Sequence, residues 1–406
     1  MQQRVRVLPA RVVVYLLLAG CLFTEQGYGQ VWARLTGALH GTDVARPSPS
    51  ALLQGRRRLG AAPMRALFDL LRGPAATRAP VRWRGLLPVA IDGTVMTVPD
   101  SHANLTRYRK HRSNNGGSGY PQIRLSVLLA CGTRSIIDAV FDPGAVSELV
   151  QAHCLARSLR AGMLLLGDRN YAAAALISVW SATGADLLVR CKSGRVLPVL
   201  ERYRDGSYLT VLGGTRMRVI EARISITTPA GRRTGTYRLI TTLLEHQRFP
   251  ATELIQLYHE RWEIETAYLE IKSSILGGRV LRARTPEGVD QEVHALLVTY
   301  QLLRTVMTDA TDSVAGLDPD RAGFTTALHA ARDQIIQAAG VIAGTVIDLV
   351  GTIGRHILAA LLPERRIRTK PRIVKRSNSK YQARGQNIDR TSYKATISID
   401  IISAIP

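Results

Sequence analysis

Apolar positions along the chain change their period near residue 80. Before that point they recur at helical spacing between cap signals. Residues 12–23 (VVVYLLLAGCLF) form one apolar run suited to a buried helix. Ser48 offers an N-cap and Pro49 a first-turn proline for PSALLQGRRRLG, which Gly60 can close. Pro63 begins a second helix, MRALFDLLRG, ending at Gly73. From Leu86 the texture becomes short β-branched runs between turn residues: LLPVAIDGTVMTV, QIRLSVLLACG, SIIDAVFD, GMLLLGD and ADLLVRC. A helical stretch over about 146–160 separates the third run from the fourth, and YAAAALISVWSATG the fourth from the fifth. Three strands in meander, then strand–helix alternation, predict a mixed α/β sheet with helices packed on it.

The region 192–238 is rich in Gly, Arg, Thr and Val, and TRMRVIEARISI alternates as a small β insertion does. YRLITTLL then resumes the core strand texture. PATELIQLYHERWEIETAYLEIKSSILGG reads as one long helix, opened by Pro250 and Thr252 and stopped by Gly277 and Gly278. Further helices follow to about residue 362. The pattern divides the chain into a helical N-terminal domain (1–80), a core (81–191), the insertion (192–238), the core's second part (239–310) and a helical C-terminal region with a basic tail (311–406).

Composition adds a direction. Of 406 residues, 46% are hydrophobic, which excludes disorder throughout, and 54 Lys plus Arg against 31 Asp plus Glu give +23. Such a surplus attracts polyanions, nucleic acid above all, although a basic housekeeping enzyme would share it. Cys21, Cys131, Cys154 and Cys191 have no metal-site or disulfide spacing. The apolar run 12–23 follows basic residues and contains the lipoprotein-like Leu18-Ala19-Gly20-Cys21. It is shorter than the roughly 20 residues a span needs. We therefore expect a helix of a cytoplasmic protein and no membrane partner.

Two carboxylates stand out. Asp92 sits inside an apolar strand run, before Gly93-Thr94, and Asp168 ends MLLLGD. A charge on a core strand is costly without compensation, and two on neighbouring strands invite a hard cation. On the long helix, at ~100° per residue, Tyr258, Arg261, Tyr268 and Lys272 fall within roughly 60° of Glu265. Glu260, Glu263 and Glu270 point to the far side. Periodicity alone favours the simpler reading of a surface face held by an Arg261–Glu265 i,i+4 pair.

The series Asp92-Gly93-Thr94, Asp168-Arg169-Asn170-Tyr171 and Tyr258-x-x-Arg261-x-x-x-Glu265-x-x-x-x-x-x-Lys272 resembles the signature of the insertion-sequence-four family of bacterial transposases, within the DDE superfamily. The opening LPARVVVYLLLAGCLFTEQGY is similar to that family's N-terminal domain. The resemblance implies a ribonuclease-H-like mixed sheet with flanking helices, interrupted by the β insertion, and cut-and-paste DNA transposition. It implies that Asp92, Asp168 and Glu265 are catalytic and hold two Mg²⁺ (or Mn²⁺) ions about 4 Å apart. Tyr258, Arg261, Lys272 and Arg169 would contact DNA phosphates. The partners would be double-stranded DNA (terminal inverted repeats and target) and a second copy of the chain on DNA, close to the nucleoid. Rival readings are a catalytically dead DNA-binding relic and a structure-specific nuclease of the same fold.

Two departures from the family pattern stand in the sequence. Asn170 replaces a usual Gly, and the insertion lacks the Trp that some relatives use to hold a flipped base; Tyr203, Tyr208 or Tyr237 could stack instead. The chain's four tryptophans are Trp32, Trp83, Trp180 and Trp262. Independently of the family, Arg107, Arg109, Lys110 and Arg112 crowd one glycine-rich loop that suits a DNA backbone or plain solvent. Arg56, Arg57 and Arg58 leave the same two readings open, as does the run from 365 to 384, with nine Lys or Arg and no acid.

Overall fold

Cap chemistry fixes the helix that the sequence predicts between Ser48 and Gly60. In the computed structural model, which describes residues 8–37, 44, 46–110, 119–337, 348–363, 368–369 and 393–402, Ser48 Oγ accepts from Ala51 N at 3.1 Å to start a helix. Gly60, at φ 66°, ends it with its N–H on Arg56 O. In chain order the elements are α1 (Ala10–Leu22), α2 (Tyr28–Thr36), α3 (Pro49–Leu59), α4 (Ala62–Leu71), β1 (Leu87–Thr97), α5 (His102–Tyr108), β2 (Gln122–Ala130), β3 (Ile136–Pro143), α6 (Glu148–Leu155) and β4 (Met163–Gly167). Then come α7 (Ala174–Ser181), β5 (Asp186–Cys191), β6 (Glu201–Arg202), β7 (Tyr208–Leu212), β8 (Thr215–Thr228), β9 (Gly231–Thr241), α8 (Ala251–Leu257), α9 (Glu263–Leu269), α10 (Pro286–Asp312), α11 (Phe324–Gln337) and α12 (Leu349–Ala359). The last strands are β10 (Arg368–Thr369), β11 (Tyr393–Lys394) and β12 (Thr396–Ile401).

The chain forms two compact units. The first comprises residues 1–167, 182–185 and 260–362. Its strands run in the order β3-β2-β1-β4, with β1, β2 and β3 antiparallel and β4 parallel to β1. This meander plus parallel strand, flanked by helices, is a ribonuclease-H-like mixed sheet. Val89, Ala90, Ile91, Leu164, Leu165 and Leu166 are fully buried, as the apolar runs predict. Fully burying each of the larger side chains contributes about 1.5–3 kcal/mol. α10 packs on α1, α4 and α12, and its start is capped by Thr285, whose Oγ1 accepts from Gly288 N.

The run 12–23 lies within α1 and the residue after it, with Val13, Leu16 and Leu17 buried. Cys21 is buried there too, and burial pushes its thiol up to about 12. Among the described residues no helix is long and apolar enough to cross a membrane.

The second unit comprises residues 168–181, 186–259 and 363–406. Its strands run β5-β9-β8-β7-β6, with β12 added to β8 (Ile399 opposite Ile224). YRLITTLL does not begin a separate core strand, contrary to expectation. Its first half is the inner end of β9, pairing Ile240 with both Val189 and Val219. One strand is thus apolar where it is covered and polar where it projects. Most of the basic run 365–384 lies outside the described residues.

The long helix is also divided. α8 gives way to a 3₁₀ turn (Tyr258–Trp262), then α9, then a π-helical turn (Glu270–Ile275). The fixed 100° step fails across these changes of pitch, and π turns concentrate at functional sites.

Candidate active site

β1 leaves the core at Asp92. Residues 87–91 are buried and 92–95 partly exposed, so the carboxylate stands where the strand emerges. Gly93 N donates to Asp92 Oδ1 at 2.8 Å. The helical run is tied to this part of β1 by three side chains. Tyr268 Oη donates to Asp92 O at 2.5 Å, and Lys272 Nζ donates to Thr94 Oγ1 at 3.2 Å. Arg261 lies between the acids, with Nη1 3.6 Å from Asp92 Oδ2 and Nη2 3.4 Å from Glu265 Oε1. A guanidinium shared by two carboxylates offsets the repulsion that would otherwise push them apart. The i,i+4 pair foreseen as an alternative is therefore present, but its arginine also reaches β1.

A second group of charges lies beneath, and the sequence did not reveal it. Arg134, in the β2–β3 turn, has the left-handed φ of 54° that non-glycine residues rarely adopt. Its guanidinium pairs with Glu263, with Asp320 at 2.8 Å and with Glu270 at 3.5 Å. Arg304 pairs with the other side of Glu270, and Tyr300 Oη lies 3.1 Å from Glu270 Oε2. Burial alone would lower the Arg134 pKa, but Glu263, Asp320 and Glu270 reverse this and raise it. Arg304 is raised in the same way by Glu270. These pairs seat α9 and the π turn on the sheet. Glu263 and Glu270 share a helix face seven residues apart, the one signal that could have suggested a common buried partner.

Asp168 is the first residue after β4, the strand parallel to β1. Its Oδ1 accepts from Asn170 N at 2.7 Å and its carbonyl from Tyr171 N at 3.1 Å. The turn is closed by the aspartate itself, and Asn170 does not need a left-handed backbone. The turn therefore forms with Asn in place of Gly at that position. Arg169 is exposed, whereas Tyr258, at the end of α8, is buried. Arg107 lies in the last turn of α5, Arg109 caps that helix at φ 53°, and Lys110 is paired with Asp100 at 2.5 Å. Arg112 lies outside the described residues. Among the described residues no three His, Cys, Asp or Glu side chains close into a metal cage.

A ribonuclease-H-like sheet with an acid on its first strand and another on a helix tied to that strand defines a class of enzymes that act on nucleic acids. Comparison with known proteins narrows it. The transposase DDE domain family model matches residues 83–302, and the insertion element 4 transposase N-terminal model matches residues 1–69. The chain belongs to the DDE transposases of the insertion-sequence-four type, enzymes that act on DNA and depend on divalent metal ions. It is 27% identical over 393 residues to the transposase InsG for insertion sequence element IS4 of Escherichia coli, covering 93% of this chain and 88% of that one. It is 33% identical over 128 residues to the putative transposase InsZ of the same organism, covering 30% and 42%. A piggyBac transposase synaptic complex with hairpin DNA aligns at a TM-score of 0.44 and 10% identity, covering 94% of this chain and 82% of that one. The relic and nuclease readings are not favoured.

Proposed function

We propose that the chain catalyses cut-and-paste transposition, cleaving element ends and joining them to target DNA, with Asp92, Asp168 and Glu265 as the catalytic carboxylates. The observation that carries this is the Arg261 guanidinium bridging Asp92 on β1 and Glu265 on α9. The donor set fits a hard divalent cation, since all three residues offer carboxylate oxygens and no sulfur or imidazole. Mg²⁺ or Mn²⁺, two ions in our reading, would supply Lewis-acid stabilisation of charge on the phosphodiester.

The chain's own residues then position the strand. Arg261, Lys272, Tyr258 and Arg169 would contact phosphates, with Arg107, Arg109, Lys110 and Arg112 following the backbone further out. Two copies would assemble on DNA, in the cytoplasm close to the nucleoid. Purified protein with Mg²⁺ should nick a duplex carrying the inverted repeats that flank its gene, and join the freed 3′ end to a second duplex. Specific binding of those repeats without any cleavage would overturn the assignment.

Lys272 gives a sharper test of positioning. Burial lowers its pKa below the ordinary 10.5. Its charge therefore costs stability at neutral pH, a cost that disappears as pH rises past the lowered folded value towards 10.5. A neighbouring phosphate would favour the charged form. Lys272→Met should melt no lower than the parent at pH 7, while cleavage falls at least ~10-fold, equivalent to about 1.4 kcal/mol of transition-state stabilisation. A fall in melting temperature with cleavage intact would mean that the ammonium serves the fold instead.

A further inference from the structure

Apart from the triad, α3 and the segment leading into α10 enclose a cavity of about 320 Å³ whose walls carry Arg56, Arg57, Arg282 and Arg284. These walls are locked together. Gln291 Nε2 donates to Arg56 O at 3.1 Å and to Gly60 O at 2.6 Å, fixing the end of α3 to α10. The segment is anchored in turn to the end of β1, where Leu281 N donates to Thr97 O. Such a cavity is preformed and needs no folding on binding.

The four arginines are not equivalent. Arg282 is satisfied internally by Gln26 O, Gly20 O and the Glu292 carboxylate. Arg56 lies 3.9 Å over the Tyr28 ring, and its buried Nε has no hydrogen-bond partner. Arg57 and Arg284 are exposed and form no ion pair among the described residues. Glu287 is the one acid lining the cavity. The balance therefore favours an anion, and guanidinium forks match a phosphate's oxygens. Among the described residues that line the cavity none is aromatic, so it offers a base no stacking face.

We propose that this cavity clamps a backbone phosphate of duplex DNA, through Arg57 and Arg284 with Arg56 behind them, and reads no sequence. It adds a site to the transposase reading without depending on the triad. The test is fluorescence anisotropy on an element-end duplex and a scrambled duplex, across a salt series and without divalent metal. Arg57→Gln/Arg284→Gln should weaken both duplexes equally and reduce the log K against log [salt] slope by ~0.9 for each phosphate lost. Glu287→Gln should tighten both, a gain that misfolding would not produce. An unchanged salt slope, a loss confined to the element end, or no gain from Glu287→Gln would each overturn the clamp.

Discussion

Glu265→Gln should reduce strand cleavage by about three orders of magnitude while leaving DNA binding and melting temperature close to those of the parent. The structure separates the two effects. Glu265 is 36% exposed in its side chain, and its ion pair with Arg261 spans 3.4 Å. An exposed pair of this kind contributes only ~0–1 kcal/mol to stability. A carboxylate that supports charge on a reacting phosphodiester is worth several kcal/mol, and ~1.4 kcal/mol is already tenfold. Asp92→Asn and Asp168→Asn should behave alike, because an amide oxygen can still accept from Gly93 N and Asn170 N respectively. Cleavage of an end duplex by all three variants within tenfold of the parent would place the chemistry elsewhere. Loss of folding in Glu265→Gln would instead make that carboxylate structural.

The sheet was legible because its strands are written twice, in β-branched runs and in the turn residues between them. Helix α3 was legible from Ser48, Pro49 and Gly60, each of which satisfies a local backbone need. Asp92 could be singled out for a related reason, a charge standing where an apolar strand leaves the core. What local pattern could not carry was the partner of a charge. Periodicity put Glu263 and Glu270 on the far side of the Glu265 helix, and that side proves to be the buried one. Their partner Arg134 lies 129 and 136 residues earlier in the chain. The breaks at Tyr258 and Glu270 escaped notice for the same reason. Each residue there is an acceptable helix former, and the change of pitch coincides with contacts made across the fold. The inner end of β9 was misread because apolar and polar halves of one strand resemble two elements.

Arg134→Met should destabilise the first unit by about 3–5 kcal/mol, the usual cost of leaving a buried charge without its partner. Glu263 is fully buried and would lose its guanidinium, while Glu270 would keep Arg304. Adding Glu263→Gln removes one of the buried charges that faced Arg134, so the double variant should recover part of the loss and show coupling in a double-mutant cycle. Backbone strain gives the opposite expectation for a different substitution. At φ 54° a glycine would relieve roughly 1–2 kcal/mol, so a strain-dominated site would make Arg134→Gly more stable than the parent. The buried pairs predict that Arg134→Gly is destabilised almost as much as Arg134→Met. Urea unfolding of the four proteins distinguishes the two. Because the same pairs seat the helix that carries Glu265, cleavage by Arg134→Met should be impaired even at temperatures where the protein remains folded. Full activity there would show that Arg261, Tyr268, Lys272 and the Glu270–Arg304 pair hold the Glu265 helix in place without Arg134.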